Sequence, residues 1–498
     1  MTLIRDSWTL PASCRILIAG AGLAGLETAS ALEHQQSRDV IVLDAGPAND
    51  LRHINAACEP REALRAWLDY ESDPHFHRSW TSASSPHYQE GSGLRRRVGG
   101  RSLYWHGVIL PIEPWALTSP WPAAVVTDLS TTWREGDSLY DRVRQDLQSW
   151  QFAGGERLKE QPTASIPSIA GCHLQPTPRA VRPSATHAGR WLAYSPLDRW
   201  RDAETNAVLR EPDGMAIHAG VEVVKVLIKD GAARGVLVRT DRGEMKTVMA
   251  DAVVLAAGTV ENSRLAIQAL AEAGSRVTRL GGLVDHIVQG LFVRLPPVPG
   301  NRLRDRIAPG SYWAPCKEAR SNLFLALEPL ANGDLLVDLQ MTGEQLPSPS
   351  SCVECTPSET SPWRVLVRTA TSADDQQVID AQRRLLQHGW DDLAEASRCG
   401  PTTLAFDDYN RPQRTNALLL EGVPLSSPVT WSSCLGTEDH EGGTLGLGVV
   451  LDEHHEFAAI PNLFAAGPST FPRSGAANPG LTLLALARRL AGALAERV

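Results

Sequence analysis

The stretch RILIAGAGLAGLETASALEH, residues 15–34, restricts the fold more than any other part of the chain. An apolar run gives way to glycine-spaced residues and then to a helical pattern, the order strand, turn, helix. Gly20, Gly22 and Gly25 stand at the spacing GxGxxG. In such a unit the first glycine permits the tight turn and the second lets a pyrophosphate approach the backbone. The third lets helix and strand pack closely. The helix N-terminus then offers amides and partial positive charge to the phosphates. A second apolar run, VIVLD, ends in Asp44, about 20 residues on, where an acid grips a ribose hydroxyl. The pattern predicts an α/β, Rossmann-like dinucleotide-binding unit; the bland alternative is a glycine-rich structural turn.

Three further stretches bear on which dinucleotide. VGGRSLYWHG, residues 98–107, sets Gly99, Gly100 and Ser102 before an aromatic pair. A paired glycine loop followed by bulky aromatics suits passage along a flat ring system, or else an ordinary turn with core aromatics. ADAVVLAAGTVENSRLAI, residues 250–267, is a buried-strand pattern that reaches Gly258 and enters a helix. Near the end, LFAAGPSTFPRSGAANPGLTLLALA is unusually punctuated for a C-terminus, where a fraying helix or tail is expected.

Taken in order, GxGxxG near residue 20, VGGxS near 100 and AAGxxxNSRL near 260 are followed by HxxGT at 440 and NLFxxxxSxFP…ANPxxT. The set resembles the glucose-methanol-choline family of flavoenzymes, which oxidise alcohols. The resemblance implies FAD in a Rossmann-like domain. It also implies a second, substrate domain on an antiparallel sheet, a p-hydroxybenzoate-hydroxylase-like architecture. By resemblance the N-terminal loop holds the ADP half, and the backbone near Val223 meets the adenine. Gly467 and Pro468 lie along the ribityl and pyrophosphate. The amides after Asn478-Pro479 face the flavin's pyrimidine edge, where a helix N-terminus suits developing negative charge. VGGRSLYW is nearest the pyranose-oxidase-like branch, in which a His before the Trp can join the flavin. Tyr104 stands there, so non-covalent FAD is expected.

Oxidising an alcohol by hydride transfer to flavin N5 needs a base near neutral pKa, which suits histidine at about 6.5. Among 14 histidines, His440 falls in the HxxGT segment. The resemblance makes His440 the base and Asn478 its hydrogen-bonding partner on the substrate oxygen. Glu441 follows in place of the frequent Pro; it either raises the pKa of His440 or is solvated. Gly446-Leu447-Gly448 replaces the usual Met-Gly ending. Arg101, where many members have a small residue, either contacts FAD or substrate or makes a surface salt bridge. His286 in LVDHIV reads as a structural or supporting residue. His454 and His455 read as a hairpin tip, and His75 and His77 as a solvated loop or part of a lid. Trp105 and His106 are candidates for the pocket wall, core packing being the other reading for Trp105.

Composition narrows the alternatives. The 498 residues carry a net charge of −9, and no basic block stands out beyond Arg95-Arg96-Arg97, which argues against nucleic acid. No run of about 18 apolar residues suggests a membrane span. Eight scattered cysteines fit a reduced cytoplasm better than a disulfide framework. Cys352 and Cys355 form one CxxC, read as a surface loop, and no metal site is expected. The FAD domain is expected from 1–50, 95–110, 205–290 and 432–498, with irregular covering segments at 51–94 and 111–204. Residues 291–431 form the substrate domain, with NLFLALEPL, DLLVDLQM and WRVLVRTA as strands and ADDQQVIDAQRRLLQHGWDDLAEA as a helix. The expected partners are a small-molecule alcohol, a sugar, glycoside or natural-product hydroxyl, and O2 or another electron carrier. A lyase on the same scaffold, a non-catalytic flavin-binding protein and an NAD enzyme are the alternatives.

Overall fold

A computed structural model describes residues 3–68, 72–152, 168–296, 308–400, 402–407, 423–433, 435 and 438–497. Strand β1 (Ser13–Ala19) leads into helix α1 (Leu23–His34) and returns to the parallel strand β2 (Val40–Leu43). The four residues of β2 are all buried, as expected of a parallel strand covered on both faces. On the far side of β2 lies β3 (Met215–His218), and Ile4–Arg5 closes that edge, all in parallel register.

The other side is built around a long strand. An antiparallel meander runs from β4 (Val221–Lys229) through β5 (Ala232–Thr240) into β6 (Met245–Leu255). The alternating sequence GVEVVKVLIKDGAARGV thus forms a hairpin, with register shifts after Val223 and Leu227. The first half of β6 pairs with β5. Its last residues, Val253–Leu255, take the C-terminal strand β12 (Ile460–Ala465) as a parallel partner. Helix α2 (Thr259–Glu272) follows β6, and α4 (Gly480–Arg497) follows β12 and packs on α1. The two ends of the chain therefore meet in a nine-stranded sheet with one apolar core.

A second sheet of six antiparallel strands joins β7 (His286–Leu295), β8 (Gly310–Cys316), β9 (Ser321–Pro329), β10 (Leu335–Glu344) and β11 (Val429–Ser433). Helix α3 (Ala373–Ser397) packs on β7 and β10 over a separate core around Leu323, Leu339, Leu386 and Trp390. A capping box fixes its start: Asp375 N–H donates to Ser372 Oγ, and Ser372 N–H donates to Asp375. Strand β7 runs through the division expected at 290. The sixth strand of this sheet is Gln175–Pro176, from the expected covering segment.

Several local expectations are corrected. WRVLVRTA does form a strand, Arg364–Arg368, but in a separate four-stranded sheet with Trp80–Ser82, Cys352–Thr356 and Arg279–Gly281. Cys352 and Cys355 are consequently buried strand residues rather than a surface loop. The segment 111–204 is not wholly irregular. Leu139–Phe152 is a helix whose buried face of Leu139, Tyr140, Val143 and Leu147 packs on α4, with Tyr140 Oη 2.9 Å from Thr482 Oγ1. His455 is fully buried at its turn, its Nδ1 3.3 Å from the Ala465 carbonyl, while His454 is exposed. No helix among the described residues is long and apolar enough to cross a membrane.

Candidate functional site

The glycines of the N-terminal turn fall into two physical kinds. Gly20 adopts φ +115, and a Cβ there would lie 2.4 Å from the Ala256 carbonyl oxygen. A Cβ on Gly25 would lie 2.0 Å from the Gly20 carbonyl oxygen. These two close the turn and seat α1 against β1 and β6. Gly22 has no atom within 4 Å of its would-be Cβ and an ordinary φ of −84. It leaves space above the helix N-terminus rather than permitting a contact. Gly25→Ala is therefore expected to destabilise the fold by more than about 3 kcal/mol. Gly22→Ala should leave the thermal midpoint nearly unchanged and weaken dinucleotide binding about tenfold. Thermal unfolding and a flavin-binding titration of both variants separate the two roles.

Neighbouring loops lock onto this turn. Asp44 accepts hydrogen bonds from Ala21 N (2.9 Å) and Gly46 N (2.8 Å), while burial pushes its carboxyl up. Gly99, at φ +95, donates to the Ala21 carbonyl at 2.8 Å, and Ser102 Oγ donates to the Gly99 carbonyl at 2.7 Å. The loop 98–102 is thereby stacked on the glycine turn. At the end of β6, Asn262 receives Ala257 N at 2.8 Å. Its amide reaches the Ala466 carbonyl (3.1 Å) and Ser469 Oγ (3.0 Å), tying Gly258 to the C-terminal loop. Buried Arg264 donates to the carbonyls of Val223 (3.2 Å) and Val224 (2.8 Å), holding α2 to β4.

All these loops face one cleft of about 360 Å³. Its lining includes Gly20, Gly22, Asp44, Gly100, Ser102, Val223, Gly258, Gly467, Pro468, Asn478 and Pro479, and His440 stands among them. Gly25 and Gly99 lie behind the wall. Trp105 and His106 also line it. The start of α4 presses on the Trp105 ring, since a Cβ on Gly480 would lie 2.4 Å from it, so wall and packing roles coincide.

Within the same cleft the charges are arranged closely. The Arg101 guanidinium meets buried Glu441 through two contacts of 2.5 and 3.1 Å, and donates to the carbonyls of Asp439 (2.8 Å) and Gly93 (3.0 Å). Glu441 is therefore an internal ion-pair partner rather than a solvated residue. The Arg101 pair is built into the cleft wall instead of lying on the surface. His440 Nδ1 lies 3.0 Å from His286 Nδ1, the rings edge-on at 79°. Burial lowers the pKa of His440 below its ordinary 6.5, opposed by Glu438, Asp439 and Glu441 and assisted by Arg101. Burial first, and His440 second, hold fully enclosed His286 well below that value, while a hydrogen bond to the Gly475 backbone opposes them. Asp285, adjacent in sequence, brings an oxygen within 4.8 Å of both ring nitrogens; a proton shared between the imidazoles accounts for their own 3.0 Å separation.

The punctuated C-terminal loop is clamped from three directions. Arg473 pairs with Glu344 at the end of β10 through contacts of 2.6 and 2.8 Å, and Trp121 Nε1 donates to the Arg473 carbonyl at 3.0 Å. Buried Glu113 accepts from Ala476 N (3.0 Å) and from Asn322 Nδ2 on β9 (2.7 Å). Gly475, at φ +67, leaves room for that carboxyl, which a Cβ would approach to 2.5 Å. Two residues beyond Ala476, Asn478 lines the cleft with its Oδ1 buried and without a protein partner. Glu113 carries no motif, and only the structure reveals it.

Desolvation outweighs the hydrogen bonds to Glu113 and raises its carboxyl from 4.5 to about 7. A value above the unfolded one means that the protonated form favours the folded state. That contribution is full below pH 4.5 and is lost as pH rises to 7. The interval is worth about 3 kcal/mol. The stability of Glu113→Gln relative to the wild type is expected to rise by that amount from pH 4.5 to pH 8, read from urea unfolding at the two pH values.

Comparison with known proteins bears on the architecture. No protein-family model and no curated protein matches the chain. Among solved structures, pyridoxine 4-oxidase from Mesorbium loti is similar over 96% of this chain and 98% of its own, at 17% identity and TM-score 0.59. A formate oxidase variant from Aspergillus oryzae, described for its effect on FAD modification, matches over 98% and 99%, at 14% identity and TM-score 0.60. A further formate oxidase structure gives TM-score 0.58. At these identities the likeness is one of fold, and it runs over nearly the whole chain.

Proposed function

We propose that this chain is an FAD-dependent oxidoreductase of the glucose-methanol-choline type, which oxidises the hydroxyl of a small molecule to a carbonyl. The observation that carries the reading is a single cleft whose lining holds the dinucleotide-type glycines together with His440 and Asn478. The residues fit FAD: Gly22 leaves open space at a helix N-terminus, Gly258 and Gly467 have no close atom in the way, and Asn478 Oδ1 is buried without a partner. Gly20, Gly22, Asp44, Gly99, Gly100, Ser102, Val223, Gly258, Gly467, Pro468 and Pro479 would hold or shape its site. The oxidases that share the fold support the same reading.

When bound, FAD supplies the acceptor for the hydride that leaves the carbinol carbon. His440 takes the hydroxyl proton. Its burial keeps the imidazole neutral at neutral pH, as a base requires. The side-chain amide of Asn478 orients the substrate oxygen. His286 sets the tautomer: its outer N–H goes to the Gly475 backbone, so its Nδ1 accepts the Nδ1–H of His440. The nitrogen left to act on substrate is His440 Nε2. His286→Ala is expected to lower kcat about 10- to 100-fold with little change in KM, and His286→Asn, which keeps an acceptor, to recover part of the loss. Steady-state kinetics of the two variants check this.

The substrate class of sugar, glycoside or natural-product alcohol rests on the VGGRSLYW loop, and O2 or another carrier would reoxidise the cofactor. Non-covalent attachment rests on Tyr104, whose hydroxyl sits 3.3 Å from both Arg97 and Asp73. A cytoplasmic location is the reading that the cysteine pattern favours. Acid precipitation of the purified protein tests the cofactor assignment. The expected result is one FAD released per chain into the supernatant. Flavin retained on the pellet would overturn the non-covalent reading, and a protein unable to take up FAD would overturn the whole.

A further inference from the structure

The cysteine motif visible in the sequence and the cysteine pair formed by the fold are different. Cys352 and Cys355 are three residues apart on one strand, so their side chains point to opposite faces and cannot meet. Cys172 and Cys316 are 144 residues apart, and their sulfurs lie 2.9 Å from each other. Each thiol is also 3.7 Å from a carbonyl oxygen, Ala170 for one and Ala314 for the other. The two sulfurs are thus closer to each other than either is to the neighbouring carbonyl oxygen, a smaller atom. A covalent bond needs them about 0.9 Å nearer, at roughly 2.05 Å.

Packing on both sides holds the pair in place. Ile169 and Leu174, which flank Cys172, belong to the same apolar core as Cys316. Ala170 N donates to Asp392 of α3 at 2.8 Å, and Gln175–Pro176 pairs with Tyr312 and Trp313 of β8. The loop between the two cysteines is closed by the native fold before any bond forms.

We propose that Cys172 and Cys316 are an oxidant-responsive pair, which a peroxide converts into a disulfide that fastens the segment 168–176 to strand β8. Half-buried Cys172 is the attacking group and buried Cys316 the resolving one. The hydrogen bond from Cys316 lowers the pKa of Cys172, and the same contact raises that of Cys316, which places the thiolate on the more accessible sulfur. In the first step the Cys172 thiolate attacks a peroxide oxygen, the O–O bond breaks, and Cys172 becomes a sulfenic acid as hydroxide leaves. In the second, Cys316 sulfur attacks the sulfenic sulfur, the S–O bond breaks, and its thiol proton departs with the hydroxyl as water. Two thiols lose two electrons, and hydrogen peroxide is reduced to two waters. The inference stands apart from the flavin reading and survives its failure.

The test uses the whole purified protein, reduced and then treated with an equivalent of hydrogen peroxide. After denaturation and alkylation, two fewer reactive thiols are expected than the eight of the sequence. A non-reduced digest should yield one linked peptide pair containing Cys172 and Cys316. The thermal midpoint should rise by several degrees and fall back on treatment with a dithiol. Cys172→Ser and Cys316→Ser should each abolish the linked pair. Eight thiols still reactive after peroxide would overturn the proposal. So would a linked pair involving other cysteines, or Cys172 carried to the sulfinic acid without a link.

Discussion

His440→Ala is expected to lower kcat about a thousandfold while FAD binding stays within a factor of about two, since general-base catalysis contributes roughly 10²- to 10⁴-fold. His440 is a wall residue of the cleft, and no dinucleotide-type glycine depends on its side chain for its conformation. Removing the imidazole takes away the proposed proton acceptor and leaves His286 without its ring partner, while the glycine turn and the loop 98–102 keep their backbone contacts. In the intact protein the acid limb of the pH–rate profile should fall below the ordinary histidine value, because burial depresses the His440 pKa. Steady-state kinetics across pH, with a flavin titration of the variant, measure both. Near-normal turnover in His440→Ala would remove His440 from the role of base.

Arg101→Ala is expected to cost about 2–3 kcal/mol of stability and to move the acid limb upward. Breaking a buried ion pair costs about 3–5 kcal/mol. The lower figure applies because the Arg101 side chain is 34% exposed, whereas that of Glu441 is only 4% exposed. After the change, Ser92 Oγ, at 3.2 Å, is the remaining side-chain donor described for Glu441. The pH effect has a definite sign. Arg101 lowers the His440 pKa and Glu441 raises it, so losing the arginine leaves the carboxylate unopposed. A higher pH is then needed to hold His440 neutral. Glu441→Gln should move the limb the other way with a smaller loss of stability. Urea unfolding and the pH dependence of kcat/KM for the two variants decide both points, and an unmoved acid limb in both would remove the pair from any influence on His440.

The parts of this molecule that were legible in the sequence are those whose cause is local. A GxGxxG turn announces itself because Gly20 must take a positive φ and Gly25 must lie against a carbonyl, and both demands act on the glycines themselves. The alternation of Val221–Thr240 marks a hairpin for the same reason. Where the cause is distant, the sequence is silent or misleading. The sequence leaves Glu441 either solvated or acting on His440 until Arg101, 340 residues away, is seen beside it. Glu113 has no pattern around it, and its function as a clamp exists only because Ala476 and Asn322 arrive from two other segments. His286 sits in a recognisable DH segment, yet its influence on His440 depends on a strand and a loop 154 residues apart meeting at 3.0 Å. The helix Leu139–Phe152 was hidden by Pro-, Trp- and Arg-rich flanks, although its buried positions keep helical spacing.

The central claim is that one cleft joins a flavin to an alcohol-oxidising base. Anaerobic visible spectroscopy of the purified, FAD-loaded protein, against a panel of sugars, glycosides, aminosugars and simple alcohols, tests it most directly. The account predicts that one alcohol class bleaches the flavin absorbance in the wild type, that His440→Ala bleaches far more slowly, and that colour returns when air or another electron acceptor is supplied. A protein that holds FAD yet is bleached by no member of the panel, or a His440→Ala variant that bleaches as fast as the wild type, would contradict it.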